Sequence, residues 1–441
     1  MNQLPSPAAN ELAEFFWKLG LSTIKELETD QGILASGREE IYGCIFGRDS
    51  LITALKLLKA YDTTKQRYFL DVVRKILVTL AALQGKQVNI ESGEEPGKCI
   101  HEFRTDNYEH LINHPQKPWY LYPDKIMRNF DSVDATPLFL IAIYRYWQKS
   151  GDSAFLDAIR PAADSALEWL LDFGDSNNDG FIDYCPNPER KHGGLATQNW
   201  MDSEESVFHE NGEAVAYPVA PVEVQGYAYL ALKLWARHYA AIDPGLSASL
   251  DGRAKKMKQL FNRHYVLEDK DGIFLASAID GKGKPLAAVR SSMGHVIWAG
   301  LDRENDGCLD SILEDRYIPS LARRLMAKDL FEPEAGIRTL STGSVKFSAN
   351  SYHNGSIWPH DNSIIAEGLE KFGFREEAAQ IRQAIFKALS FFGTPIELFV
   401  YENGEYKDYC SPSGQRACKK QAWSAASLLA ASLSQLPTKA V

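Results

Sequence analysis

The feature that most narrows the folds open to this chain is a helical apolar period that recurs about twelve times, with long polar loops in between. In 66–84, the residues Phe69, Val72, Val73, Ile76, Leu77, Leu80 and Leu83 fall three and four apart and trace one stripe. Comparable segments occupy 9–27, 48–61, 134–149, 153–172, 221–241, 246–264, 290–301, 309–328, 361–372, 375–391 and 420–435. Short strands are predicted in DGFIDY (179–184), GIFLASAID (272–280) and ELFVYE (397–402), each between helices where a β-hairpin insertion would sit. No Gly/Ser- or Pro-rich linker interrupts the series, so residues 1–441 are expected to form a single domain. An all-α chain of this kind fits a closed ring of helical hairpins.

Charge and motifs exclude several functions. The formal net charge is −10 and no long basic run occurs, which argues against nucleic acid as a partner. No apolar stretch is long enough to span a bilayer. The start, MNQLPSPAANELAEFF, lacks a basic segment followed by an apolar one, so a cytoplasmic location is expected. The six cysteines (44, 99, 185, 308, 410 and 418) are scattered, and free thiols are expected. DSNNDGFID (175–183) opens like a calcium loop, but its twelfth position is Pro186, so a tight turn is the better reading. There is no P-loop, G-x-G-x-x-G, G-x-S-x-G or H-E-x-x-H, and neither metal nor cofactor is expected.

The loops at 86–133, 185–220, 331–360 and 393–419 are dense in Trp, Tyr, His, carboxylates and amides. Long irregular loops in a compact domain usually carry function. Aromatic faces mixed with polar groups suit a carbohydrate, whose ring faces stack while its hydroxyls hydrogen-bond. Within GGLATQNWMDSEES (193–206), Asp202 follows Trp200 and precedes Glu204 and Glu205. Apolar and like-charged neighbours hold a proton on such a carboxyl, as a general acid requires, although a helix cap would also suit Asp202. In TPIELFVYENGEY (394–406), Glu397 sits between Ile396 and Leu398, with Glu402 nearby; an outward-facing strand residue is the plainer alternative. Arg48 and Asp49, Asp131 and Asp134, and Trp358, His360 and Asp361 cluster at three further helix entries. Each cluster could be simple capping, but together they look like groups converging on one end of a bundle.

These segments resemble the amylo-α-1,6-glucosidase, or glycogen-debranching, family of six-hairpin inverting glycosidases. The matching strings run in order: FGRDS (46–50), EEPGKCIHEFR (94–104), SVDATPLF (132–139), NWMDS (199–203), PVEVQGYAY (221–229), GIRTLS (336–341), YHNGSIWPHDN (352–362), IELF (396–399) and QAW (421–423). The resemblance implies an (α/α)₆ barrel with Asp202 as general acid and Glu397 as general base. It also implies a sugar subsite shaped by Arg48, Asp49, Asp131, Asp134, Trp200, Glu223, Trp358, His360 and Asp361, with Gln421 and Trp423 on its wall. The family's P-E-L-F reads P-I-E-L-F here, which keeps Glu402 as a second candidate base.

The implied activity is exo-acting release of a terminal glucosyl residue from an α-glucan or a small glucoside. A glucosylated or mannosylated compatible solute is the alternative substrate, with Arg48, Lys98, Arg104 and Arg338 as candidate cations for an acidic aglycone. A phosphorylase on the same barrel, or a carbohydrate-binding protein that has lost catalysis, are the remaining readings.

Overall fold

A computed structural model of the chain describes residues 7–302 and 309–433. Twelve helices longer than five residues are found among them. They are α1 (Pro7–Leu27), α2 (Gly47–Thr64), α3 (Arg67–Ala82), α4 (Ala135–Ser150), α5 (Ser153–Asp172), α6 (Val222–Tyr239), α7 (Pro244–His264), α8 (Met293–Trp298), α9 (Ile318–Leu325), α10 (Pro359–Lys371), α11 (Arg375–Phe392) and α12 (Ala422–Leu433). The expected stripe on α3 is buried from Phe69 to Leu80, which is what a helix with one apolar face does when it lies against a core.

Even-numbered helices pack in cyclic order: α2 on α4, α4 on α6, α6 on α8, α8 on α10, α10 on α12, and α12 back on α2. Each odd-numbered helix lies outside one of them: α3 on α2, α5 on α4, α7 on α6, α9 on α8, α11 on α10 and α1 on α12. The division shows in burial. The inner helix α6 buries every residue from Val222 to Leu232, whereas the outer α7 buries only Leu250, Ala254, Met257 and Phe261. The molecule is helix-rich, and among the described residues no helix is long and apolar enough to cross a membrane.

Small antiparallel insertions decorate the connections. Val266–Asp269 pairs with Gly272–Leu275, and Phe399–Glu402 with Glu405–Asp408, as two of the predicted hairpins require. The third predicted strand, 179–184, does not form; there, only Tyr184 pairs, with Val219. The side chain of Gln225 takes over the backbone, accepting from the Ile182 N–H and donating to the Ile182 carbonyl, so no partner strand is needed. Upstream, Asp175 accepts from the Gly180 N–H and from Arg253, closing a turn that needs Gly180 at φ +103°.

The segments expected as helices at 290–301 and 309–328 are shorter, at 293–298 and 318–325. Residues 301–302 leave the helix to pair with 309–310, and Pro319 sits in the first turn of α9, where its missing N–H costs nothing. Cys44, Cys99, Cys185, Cys410 and Cys418 are free thiols; Cys308 and residues 434–435 of the last expected helix lie outside the described residues.

Candidate active site

Functional groups gather where the inner helices begin. Arg48 and Asp49 lie in the first turn of α2, Asp134 immediately precedes α4, Glu223 opens α6, His360 and Asp361 open α10, and Gln421 and Trp423 flank the start of α12. The cavity at this end, of about 340 Å³, is lined by Arg48, Asp49, Trp200, Asp202, Trp358, Glu397, Gln421 and Trp423. Further residues on its wall were not singled out in the sequence: Tyr42, His101, Trp119, Tyr352, His353 and Gln415 among them. Tyr352 and His353 stood inside a matching string, but nothing in a single sequence separates them from their neighbours.

Asp202 is held by a fork. The guanidinium of Arg48 donates to Asp202 at 2.8 Å and to Asp134 at 3.0 Å, and Asp134 also accepts from the Ser132 hydroxyl. Asp134 is wholly buried, whereas the Asp202 side chain keeps 23% of its surface accessible. Burial lifts Asp202 from 3.8 to about 6, against the pull of Arg48 and with a further push from the Asp134 charge.

Glu397 is held differently. Its two oxygens accept from the Tyr352 hydroxyl at 2.5 Å and from the Cys418 N–H at 2.8 Å, and its own N–H bonds the Cys418 carbonyl. An outward-facing strand position is therefore not what the chain builds: Ile396, Glu397 and Leu398 are all buried, the carboxyl against the cavity and its neighbours in the core. Burial lifts Glu397 to about 8, with Tyr352 and the Cys418 amide pulling the other way. Tyr42 extends this arm, with Gln415 donating to its hydroxyl and Tyr352 lying 3.2 Å from it. Glu402, the alternative, is exposed on the hairpin beside Lys407. Glu402→Gln is accordingly expected to keep activity within about twofold of the parent, since the side chain does not line the cavity and pairs with the exposed Lys407; steady-state rates check this.

Three tryptophans of the cavity, Trp200, Trp358 and Trp423, are each backed by a parallel histidine. Trp200 lies over His295 (5.7 Å between ring centres), Trp358 over His353 (5.1 Å) and Trp423 over His360 (3.7 Å). Burial holds His353 and His360 well below the ordinary histidine range, so both rings are neutral planes. His295 is fixed in turn by Tyr227 on one ring nitrogen and Asp361 on the other. The result is an aromatic floor beneath a wall of charged and amide side chains, a lining that offers a sugar both stacking faces and hydrogen-bond partners.

Five of the expected sugar ligands stand behind this surface. Asp134 holds Arg48, Asp361 holds His295, and His360 backs Trp423. Glu223 accepts from Asn199 and is pushed to about 7 by burial. Asp131 takes Arg190, the Asn129 amide and the Leu195 N–H, anchoring the loop that leads to Asp202. Asp49 does face the cavity, where Gln421 donates to it and burial lifts it to about 7. Of the four candidate cations, Arg48 and Arg104 reach the cavity; Lys98 bonds the Gly93 carbonyl and pairs with Glu95, and Arg338 donates to the Tyr401 carbonyl.

The profile of the Mannosylglycerate hydrolase MGH1-like glycoside hydrolase domain matches residues 105–393. The chain belongs to this family. It is a glycoside hydrolase, and its substrate is a carbohydrate. The likeness to the debranching glucosidases thus holds at the level of six-hairpin glycosidases, while the family that matches is the mannosylglycerate hydrolase-like one.

Solved structures agree on the fold. GH63 mannosylglycerate hydrolase from Thermus thermophilus in complex with Tris shares 14% identity over 94% of this glycoside hydrolase and 99% of its own chain, with a TM-score of 0.62. The complex of that enzyme with Tris and D-glycerate gives 0.63 at the same identity and coverage. A protein described as a wild-type glycosidase gives 0.60 at 15% identity, covering 99% of this chain and all of its own. Comparison with curated protein sequences gave no match.

Proposed function

We propose that this glycoside hydrolase is an exo-acting, inverting α-glycosidase on an (α/α)₆ barrel that removes a glucosyl or mannosyl unit from a small solute, with Asp202 as general acid and Glu397 as general base. One observation carries the reading: two carboxyls 195 positions apart in sequence line one cavity and are held by opposite means. Asp202 bonds a cation that is shared with a second carboxylate, and it keeps access to the cavity. Glu397 has both oxygens in receipt of hydrogen bonds, and the amide partner can only donate, so this cradle is shaped for the ionised form.

Asp202 would give its proton to the glycosidic oxygen as that bond breaks. Glu397 would take a proton from a water attacking the opposite face of the sugar, which requires the two carboxyl groups to stand about 6.5–9.5 Å apart. Asp49, Arg48, Gln421 and the faces of Trp200, Trp358 and Trp423 would hold the sugar. Asp131, Asp134, Glu223, His360 and Asp361 would hold those residues in place.

The size of the cavity favours a small substrate, since about 340 Å³ is near the lower end of the ~300–1,000 Å³ usual for ligand sites. Water rather than phosphate is favoured as nucleophile, because both arginines on the wall are already matched by carboxylates, Arg48 by Asp134 and Asp202 and Arg104 by Glu102. The test is a panel of α-glucosides and α-mannosides of small polyols and hydroxy acids set against limit dextrin. Hydrolysis of a small glycoside with kcat/KM at least tenfold above that of the dextrin is expected; the reverse order would contradict the substrate class.

The pH dependence follows from the same two groups. Asp202 must hold a proton and Glu397 must lack one, so kcat/KM should be bell-shaped with limbs near the free-enzyme values of about 6 and about 8. The order of these two values is the reverse of the order their roles require. The reactive combination is then a minor one until donors from the sugar and the attacking water add to those on Glu397. A profile with one limb only would contradict the two-carboxyl account.

A further inference from the structure

We propose that Arg290 is a positioning residue for the general acid, locking the Asp202 loop against the turn that carries Tyr352; this rests on the reading of Asp202 as the acid. Arg290 lies just ahead of α8, and its backbone is rooted in the scaffold by pairing with Leu340. The side chain is 3% exposed. Its guanidinium donates to the Ser206 carbonyl at 2.5 Å, four residues past Asp202, and to the His353 carbonyl at 2.8 Å, one residue past Tyr352. It also donates to the Asn354 side-chain oxygen at 2.7 Å, and it lies over the Phe208 ring at 5.3 Å.

Around this fork the two segments are stitched directly. The Asn354 amide donates to the Glu205 carbonyl, and His353 meets the Ser203 hydroxyl at 2.9 Å. Asp202 is therefore fixed from both sides, by Arg48 on its carboxyl and by Arg290 on its backbone loop. The turn that Arg290 grips is anchored independently of it, the Tyr352 carbonyl accepting from Ser356 and Trp358, so loss of Arg290 frees the acid's loop and leaves Tyr352 on Glu397.

Three carbonyl oxygens around one buried cation are what a planar fork with five donors can satisfy; a lysine ammonium, a point charge on a flexible stem, cannot reach all three in register. Burial pushes Arg290 down to about 10, against the pull of the Glu210, Glu223 and Glu205 charges.

If Arg290 acts through Asp202, its loss should hurt only substrates that need a proton on departure. The experiment compares kcat on an alkyl α-glycoside and on the corresponding α-glycosyl fluoride, whose leaving group needs no proton from Asp202. Asp202→Asn is the control. For Arg290→Lys we expect about 10²-fold loss on the alkyl glycoside, the usual cost of a misplacement of about 1 Å, and less than about threefold on the fluoride.

If Asp202→Asn is selective in this way while Arg290→Lys slows both substrates equally or neither, Arg290 is a structural residue and the proposal is overturned. If Asp202→Asn itself slows both equally, the acid assignment fails and this inference falls with it. Should Arg290→Lys not fold, Asn354→Leu removes two of the same ties. Selective loss there supports the proposal, and equal or no loss overturns it.

Discussion

Asparagine in place of Asp202 should slow hydrolysis of an alkyl glycoside by about 10²–10⁴-fold, the usual contribution of a positioned proton donor. That corresponds to about 3–5 kcal/mol of barrier. An amide of the same shape can still accept from Arg48, so the Arg48–Asp134 pair and the loop should remain in place. What is lost is the transferable proton, together with the tuning that burial and Asp134 impose on it. The fold should therefore survive, with an unchanged circular-dichroism spectrum and KM within a few-fold. A variant that retained full turnover would remove Asp202 from the mechanism.

Glu397→Gln should cost a similar factor, about 10²–10⁴ in kcat, because glutamine cannot take a proton from water. This substitution has a second, opposite consequence. Burial raises the folded-state value of Glu397 from 4.5 to about 8, so between those pH values the folded chain holds a proton that the unfolded chain has released. The contribution of this group to stability is then fully present below about 4.5 and is lost as pH rises through about 8. Glutamine carries no such dependence. Melting temperatures should accordingly diverge with pH, with the inactive variant gaining on the parent between pH 4.5 and pH 8. A variant that was inactive and also lost stability relative to the parent as pH rose would mean that Glu397 is not the strained carboxyl described here.

The helices were legible because each repeats one physical pattern locally; the α3 stripe could be read residue by residue. Closure of the ring was not, since it depends on α12 packing against α2 from the other end of the chain. The strand expected at 179–184 failed for a reason no local pattern contains, namely a side-chain amide from residue 225 standing in for a partner strand.

The candidate site shows the same division. A carboxylate at a helix entry is visible in sequence, but not which cation reaches it. Asp131 and Asp134 could therefore be picked out from the sequence, but not their partners, Arg190 and Arg48. Arg290 gave no signal at all, because its role comes from two carbonyls and one side-chain amide supplied by distant segments.

The sharpest test is the stereochemistry of the first product. Proton NMR of an α-glycoside during its first minutes of hydrolysis, before mutarotation, should show the β-anomer of the released sugar appearing ahead of the α-anomer. Initial accumulation of the α-anomer would mean a covalent intermediate and closely spaced carboxyls, and would contradict the assignment of Asp202 and Glu397 as a proton donor and a water-activating base.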